Sequence, residues 1–228
     1  MEKISVIIVH WNVIDSLNRC IDSLLATKYP NLEIIVIDND SNPMPKGRKE
    51  VEIIWNGNNI GFPCAVNQGL KIATGEYVLV LNPDTKIKKD FFIKAVQFAK
   101  DHPDMGVMGP KFIDPDGTPQ GSVFAEQSIF RDTPKYMPSA TSEVFSVSGA
   151  CMFIPMTTIK KIGLLAEEVF MYYEDLDYCR RIHKAGLKVY FNSEITIIHE
   201  HGKSSVQNPK ALKYLQDASL WYNGPIKH

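Results

Sequence analysis

No C-x-x-C pair occurs among the four cysteines, at positions 20, 64, 151 and 179. Such spacing argues against both a zinc knuckle and a disulfide framework, and it fits a reducing cytosol. Long apolar runs are also missing. The longest near the start, Val6–Val9, is far too short for a signal peptide or a membrane span. Charge of one sign is not in excess either. The 25 Lys and Arg balance 26 Asp and Glu, which leaves a net charge of −1 and no global pull towards nucleic acid or anionic lipid. Two local basic clusters (Lys86, Lys88, Lys89 and Lys46, Arg48, Lys49) read as solvated loops and helix ends. No internal repeat and no linker stand out. What is present is 228 residues with 44% hydrophobic content, enough for a sizeable core. One domain over 1–228 is expected.

The first half alternates strand and helix patterns. Ile4–Val9, Glu33–Ile37, Val51–Trp55 and Tyr77–Leu81 read as buried strands. Between and after them, Asp15–Leu25, residues 63–73 and Asp90–Lys100 carry helical spacing. This βαβ alternation predicts an α/β fold with a doubly wound, mostly parallel sheet. The second half changes character. Val107–Ile113 and Gln120–Phe124 around Asp116-Gly117 read as a hairpin, and residues 125–143 as a mobile loop over the site. A strand is expected at Phe145–Ile154, a short helix near Thr157–Ile162 and another over Glu174–Ala185, stopped by Gly186. Strands at Lys188–Phe191 and Thr196–Ile198 and a helix over 209–222 complete the pattern. The division expected is a first half (1–113), a smaller antiparallel portion (114–205) and a C-terminal helix (206–228).

Chemistry concentrates at strand ends. Val78-Leu79-Val80-Leu81 runs straight into Asn82-Pro83-Asp84, and in open α/β sheets ligands bind outside the carboxyl ends of the strands. Asp84 is therefore placed to hold a metal against a phosphorylated ligand. The literal D-x-D triplets at 38–40, 114–116 and 175–177 lack that context. Asp38 ends the second strand, where its carboxylate can accept the N3–H of a pyrimidine or ribose hydroxyls, or simply cap a loop. Asn12 and Asn59-Ile60-Gly61-Phe62 carry the same two readings. Asp175, at the start of a helix behind an aromatic stretch, can be aimed into a cleft as a general base, and it can equally be a dipole partner. His199 and His201 both follow a strand, and either could ligate a metal. Gly149-Ala150 allows close approach by an acceptor or tight packing.

In order along the chain, Val6-Ile7-Ile8-Val9-His10-Trp11-Asn12, Val36-Ile37-Asp38-Asn39-Asp40-Ser41, Asn59-Ile60-Gly61-Phe62, Leu81-Asn82-Pro83-Asp84-Thr85, Gly149-Ala150, Tyr173-Glu174-Asp175-Leu176-Asp177 and His199 resemble the family 2 glycosyltransferases. These are inverting enzymes of the Rossmann-like GT-A fold, and the likeness is to their rhamnosyltransferase-like group. The resemblance covers residues 4 to about 205. It implies donor-nucleotide contacts at Val9, Asn12, Asp38, Asn59 and Gly61, and a Mg²⁺ or Mn²⁺ ion at Asp84 and His199. It also implies Asp175 as catalytic base, with Gly149 and Glu174 supporting the acceptor side. Asn82 stands where many relatives have a first Asp, and Gly61–Gly69 departs from the family's Gly/Ala-Gly-Gly-Asn-x-Gly run.

The activity so implied is transfer of a sugar from a UDP- or dTDP-linked donor, rhamnose among the candidates, to a hydroxyl of a glycan or lipid-linked acceptor in cell-surface polysaccharide synthesis. The expected place is the cytoplasm, at the inner face of the membrane. Nucleic acid is not an expected partner. One rival, a sugar nucleotidyltransferase, would need a basic Gly-rich loop near the N-terminus, and His10-Trp11-Asn12-Val13 is neither. The other rival is a non-catalytic nucleotide-sugar-binding protein on a degenerate scaffold. Asp38, Asp84, Asp175 and His199 argue against it, while the missing first Asp leaves it open.

Overall fold

A computed structural model describes residues 1–126, 135–200 and 210–224. Its centre is a mixed sheet whose buried strands are the apolar runs of the sequence. β1 (Ile4–His10) lies between β2 (Leu32–Asp38) and β4 (Tyr77–Leu81), parallel to both, and β3 (Val51–Trp55) extends the parallel side beyond β2. Successive side chains leave opposite faces of a strand, and the core divides accordingly. Val6, Ile8, Leu79 and Leu81 pack on one face with α1 (Ile14–Leu25) and α3 (Phe91–Asp101). Ile7, Ile35, Val78 and Val80 pack on the other with α2 (Phe62–Ile72), α4 (Met156–Ile162) and α5 (Glu174–Lys184). Both faces are covered, so the sheet is doubly wound as expected.

Direction reverses beside β4. There β11 (Cys151–Pro155) runs antiparallel, with Leu81 opposite Cys151. β6 (Met105–Ile113), β12 (Lys188–His199) and β5 (Thr85–Ile87) continue the sheet. The carboxyl end of β4 therefore abuts the turn into β11, and the Asn82 N–H donates to the Ala150 carbonyl at 2.9 Å.

The second half departs from expectation in detail. The hairpin partner of β6 is only Pro119–Gln120 (β7). Val123–Phe124 (β8) instead pairs with Ser146–Val147 (β10) in a separate two-stranded sheet. The run Phe145–Ile154 is not one strand, because Ser148-Gly149-Ala150 turn the chain between β10 and β11. The two strands expected at 188–191 and 196–198 are one, β12, with an irregularity between Asn192 and Thr196. Of the loop expected over 125–143, residues 127–134 lie outside the described residues, and Ser142–Glu143 (β9) pairs with β12. The last helix, α6, spans Ala211–Asn223. Among the described residues no helix is long and apolar enough to cross a membrane.

Candidate active site

A cavity of about 410 Å³ opens at the carboxyl ends of β1 and β4, where the parallel strands meet the antiparallel portion. Its first wall comes from Val9, Trp11, Asn39 and Asn59, and its second from Asp84, Gly149, Glu174, Asp175 and His199. Phe124, Phe170 and Leu215 add apolar surface.

The first wall is fastened from behind. The β1–β2 register puts His10 opposite Asp38, and the His10 Nδ1 lies 2.7 Å from an Asp38 carboxylate oxygen, both side chains being fully enclosed. Val13 donates its N–H to His10 Nε2 at 3.2 Å, so Nε2 is the acceptor and Nδ1 carries the proton to Asp38. Burial lowers the pKa of His10, with Asp38 opposing it, so the ring is neutral. The other Asp38 oxygen accepts the Ser41 N–H at 3.2 Å. Asp38, expected to meet the nucleotide base, thus has both oxygens engaged inside the protein and does not line the cavity. Asn12 does not line it either: at φ 55° it accepts the Asn42 N–H at 2.8 Å.

Asn39 takes the wall position instead. It receives a hydrogen bond from Asn56 at 2.8 Å and donates to the Asn59 side chain and the Gly61 carbonyl, both at 3.2 Å. Gly61 is set back from the cavity for a steric reason. At φ 88° it passes so close to the preceding wall segment that a Cβ would come within 2.6 Å of the Phe170 carbonyl oxygen. That carbonyl accepts the Phe62 N–H at 2.8 Å. The donor-side loop is therefore joined backbone to backbone to the segment leading into α5.

The second wall is built from strand ends and one helix start. Tyr172 (φ 74°) and Tyr173 (φ 64°) are consecutive left-handed residues, a conformation costly outside glycine and concentrated at functional sites. They turn the chain so that α5 begins with Glu174 and Asp175 facing inward, 6% and 8% exposed. Asp175 accepts the Gly149 N–H and the Leu176 N–H, each at 2.8 Å. Asp177, two residues beyond, turns away to pair with Arg180 and Arg181.

On the same wall, an Asp84 carboxylate oxygen is enclosed with no hydrogen-bond partner among the described residues. It stands 3.5 Å from His199 Nε2. The Gln120 side chain donates to the His199 carbonyl at 2.7 Å, and its own oxygen lies 3.0 Å from His199 Nδ1. An amide oxygen only accepts, so Nδ1 carries a proton, and in the neutral tautomer that metal ligation requires Nε2 is the atom turned towards Asp84. Two acceptor atoms facing each other, with an amide fixing the imidazole tautomer, are what a divalent cation requires. Among the described residues no third His, Cys, Asp or Glu completes a cluster. That leaves positions for oxygen atoms of a ligand. His201 lies outside the described residues.

Val9, Asn59, Asp84, Gly149, Glu174, Asp175 and His199 are thus brought together as the sequence suggests. Trp11 lies within the Val9–Asn12 stretch expected at the nucleotide, whereas Asn39 and Phe170 were not foreseen. Asn39 had a signal, since it sits between Asp38 and Asp40 at a strand end. Phe170 had only its aromatic neighbourhood.

Comparison with known proteins gives the same picture. The chain is 26% identical over 273 residues to the N-acetylglucosaminyl-diphospho-decaprenol L-rhamnosyltransferase of Mycobacterium tuberculosis, covering 99% of this chain and 88% of that one. It is 25% identical over 212 residues to the dTDP-rhamnosyl transferase RfbF of Shigella flexneri, covering 89% and 70%. Among solved structures, GalNAc-T7 with UDP, GalNAc and Mn2+ superposes with a TM-score of 0.69 at 16% identity, over 87% of this chain and 44% of that one. S. aureus TarS 1-349 in complex with UDP-GlcNAc gives 0.66 at 21%, over 90% and 61%. This chain therefore spans about half the length of those structures, and the likeness fixes the fold as GT-A. The model of glycosyl transferase family 2 matches residues 5–163, and the chain belongs to that family of glycosyltransferases.

Proposed function

We propose that the chain transfers a sugar, with inversion, from a nucleoside diphosphate-sugar to a hydroxyl of a glycan or lipid-linked acceptor in polysaccharide synthesis. The carrying observation is that Asp175, held by two backbone N–H groups at a helix start, lines the same cavity as the Asp84–His199 pair. Val9, Trp11, Asn39 and Asn59 would line the nucleotide, while Asp38, Asn12 and Gly61 shape that wall from behind. Asp175 takes the proton of the attacking acceptor hydroxyl, and Gly149 leaves the acceptor room beside it. The names of the relatives favour dTDP-linked rhamnose as donor, and a lipid-linked acceptor follows from the same source. A cytoplasmic place, at the inner face of a membrane, goes with that reading.

Asp84 and His199 would hold Mg²⁺ or Mn²⁺, with the donor's diphosphate filling the open positions. When bound, the cation supplies Lewis-acid stabilisation of charge on the leaving diphosphate. The chain's own part is to keep Nε2 and the Asp84 oxygen aimed at one point through Gln120.

The test separates the two roles. D175N should lower turnover by about 10²–10⁴-fold, the usual worth of a general base, with nucleotide affinity nearly intact. D84A should instead weaken metal-dependent binding of UDP or dTDP. Equal loss of nucleotide binding in both variants defeats this division of labour.

A further inference from the structure

Glu174 lines the cavity as the first residue of α5, 6% exposed. Its Oε2 is enclosed and meets no hydrogen-bond partner among the described residues. Asp175 is provided for differently, with N–H donors from Gly149 and Leu176. A carboxylate that accepts backbone hydrogen bonds keeps its charge more easily than one with an orphaned oxygen. Two buried carboxyls side by side resist double ionisation, so one proton stays on the pair and belongs to Glu174.

Other groups on the walls agree with that assignment. Burial first, then the Asp175 charge, push the pKa of Glu174 up to about 8, with the N–H groups of Glu174 and Tyr172 and the Lys135 ammonium opposing. Burial also raises Asp175, with Gly149, Lys135 and Leu176 pulling it back. Tyr172 and Tyr173 line the cavity from the preceding turn, and Asp84, His199 and Lys135 line it as well.

Geometry then says what the pair can grip. Glu174 Oε1 and Asp175 Oδ2 stand 3.4 and 3.5 Å from the point where a Gly149 Cβ would begin. Both carboxyls therefore flank one gap floored by glycine backbone. We propose that Glu174 works as a neutral acid whose hydroxyl donates a hydrogen bond to an acceptor oxygen adjacent to the one Asp175 deprotonates, so the acceptor is an uncharged glycoside presenting two neighbouring hydroxyls. A donor O–H beside a carboxylate matches the donor and acceptor pattern of a vicinal diol. An anionic group in the same gap would meet the Asp175 charge. Glu174 keeps its proton throughout, and only Asp175 exchanges one with the acceptor.

This rests on Asp175 being the base, and the experiment keeps the two apart. Carboxyl carbons of the full chain are followed by ¹³C NMR against pH, with Glu174 assigned by its loss in E174Q. Methyl glucoside and methyl rhamnoside, which carry adjacent hydroxyls, are added in the presence of UDP or dTDP. A Glu174 signal that is protonated at neutral pH and shifts on adding a glycoside is the expected result. E174Q, still a donor, should bind the glycoside within about 3-fold of the parent, and E174A about 10-fold more weakly. G149A places its Cβ at ordinary contact distance and so should fold, yet it fills the gap. It should abolish the glycoside shift while leaving Glu174 protonated. An ionised Glu174 at neutral pH, a signal that neither glycoside moves, or equal loss in E174Q and E174A overturns the proposal. Turnover surviving in D175N would overturn the base assignment instead, whatever the Glu174 signals of the parent chain show.

Discussion

The two walls of the cavity differ in how their polar groups are satisfied. On the parallel side, Asp38 is engaged by His10 and Ser41, and Asn39 joins Asn56, Asn59 and Gly61. On the reversed side, Asp84 and Glu174 each enclose an oxygen without a partner among the described residues. A satisfied network resists rearrangement, since each bond is worth about 1 kcal/mol and its loss strands a buried group. An orphaned oxygen carries a desolvation cost of roughly 1–3 kcal/mol that an arriving ligand can relieve. The first wall is made to keep its shape and the second to react. Damage to the first should therefore register as lost stability, and damage to the second as lost ligand binding.

Breaking the first wall at its centre gives the largest effect. D38A removes the nearer acceptor of the fully enclosed His10 N–H, leaves it only Ser41 Oγ at 3.0 Å, and strands the Ser41 N–H. A cost of up to about 3 kcal/mol is expected, read as a fall of at most roughly 6–12 °C in Tm. Nucleotide affinity of the surviving folded protein should change much less. A D38N variant that keeps its Tm but loses most of its affinity for UDP or dTDP would show that Asp38 meets the base after all. The same pair predicts a pH dependence. Folding favours the neutral imidazole because burial lowers the His10 pKa below its ordinary 6.5. The unfolded chain then binds the extra proton first, so His10's contribution is full above pH 6.5 and declines as pH falls below it. Replacing His10 by Asn should flatten that acid limb.

A smaller effect is expected from Gln120, which touches no reacting group. It holds His199 through both backbone and ring. Outer partners of metal-binding histidines are typically worth 10–100-fold in metal affinity. Q120A should weaken Mn²⁺-dependent nucleotide binding by about 10-fold on that basis, while metal-free Tm moves by less than about 1 kcal/mol equivalent. Loss of Tm without loss of metal affinity would make Gln120 a purely structural strut of the β6–β7 turn.

How far the sequence reveals this contrast depends on the range of the interactions. β4 (Tyr77–Leu81) stands where its apolar run puts it, because a strand with largely buried faces announces itself by composition. Asp84 and Asp175 were legible for a related reason: one follows a strand, the other opens a helix. β5, a three-residue Thr-Lys-Ile strand, is too short for any period to show. The break at Ser148-Gly149-Ala150 was hidden because the apolar residues continue on both sides of it. Asp38 misled for a physical reason. Its partner His10 is 28 residues away, and only the β1–β2 register brings them together. Left-handed Tyr172 and Tyr173 could not be foreseen, since nothing in a tyrosine's chemistry favours positive φ.

The smallest effect sharpens the comparison most, because its sign differs between walls. Asp84 is 5% exposed and carries an enclosed oxygen with no hydrogen-bond partner among the described residues, 3.5 Å from His199 Nε2. In the ligand-free chain this is a local cost. D84N replaces one acceptor by an amide N–H that can donate to His199, so metal-free stability should rise by about 0.5–1 kcal/mol, within the usual gain from relieving a functional site. Calorimetry in chelator reads that gain directly. The stabilisation that Mn²⁺ and nucleotide add to the parent should at the same time shrink in D84N, since a ligand raises Tm only through its affinity for the folded state. D38N is the control from the other wall: it should lose stability with or without ligand. If D84N also loses metal-free stability, Asp84 belongs with Asp38 as a structural carboxylate. The two walls would then not differ in kind.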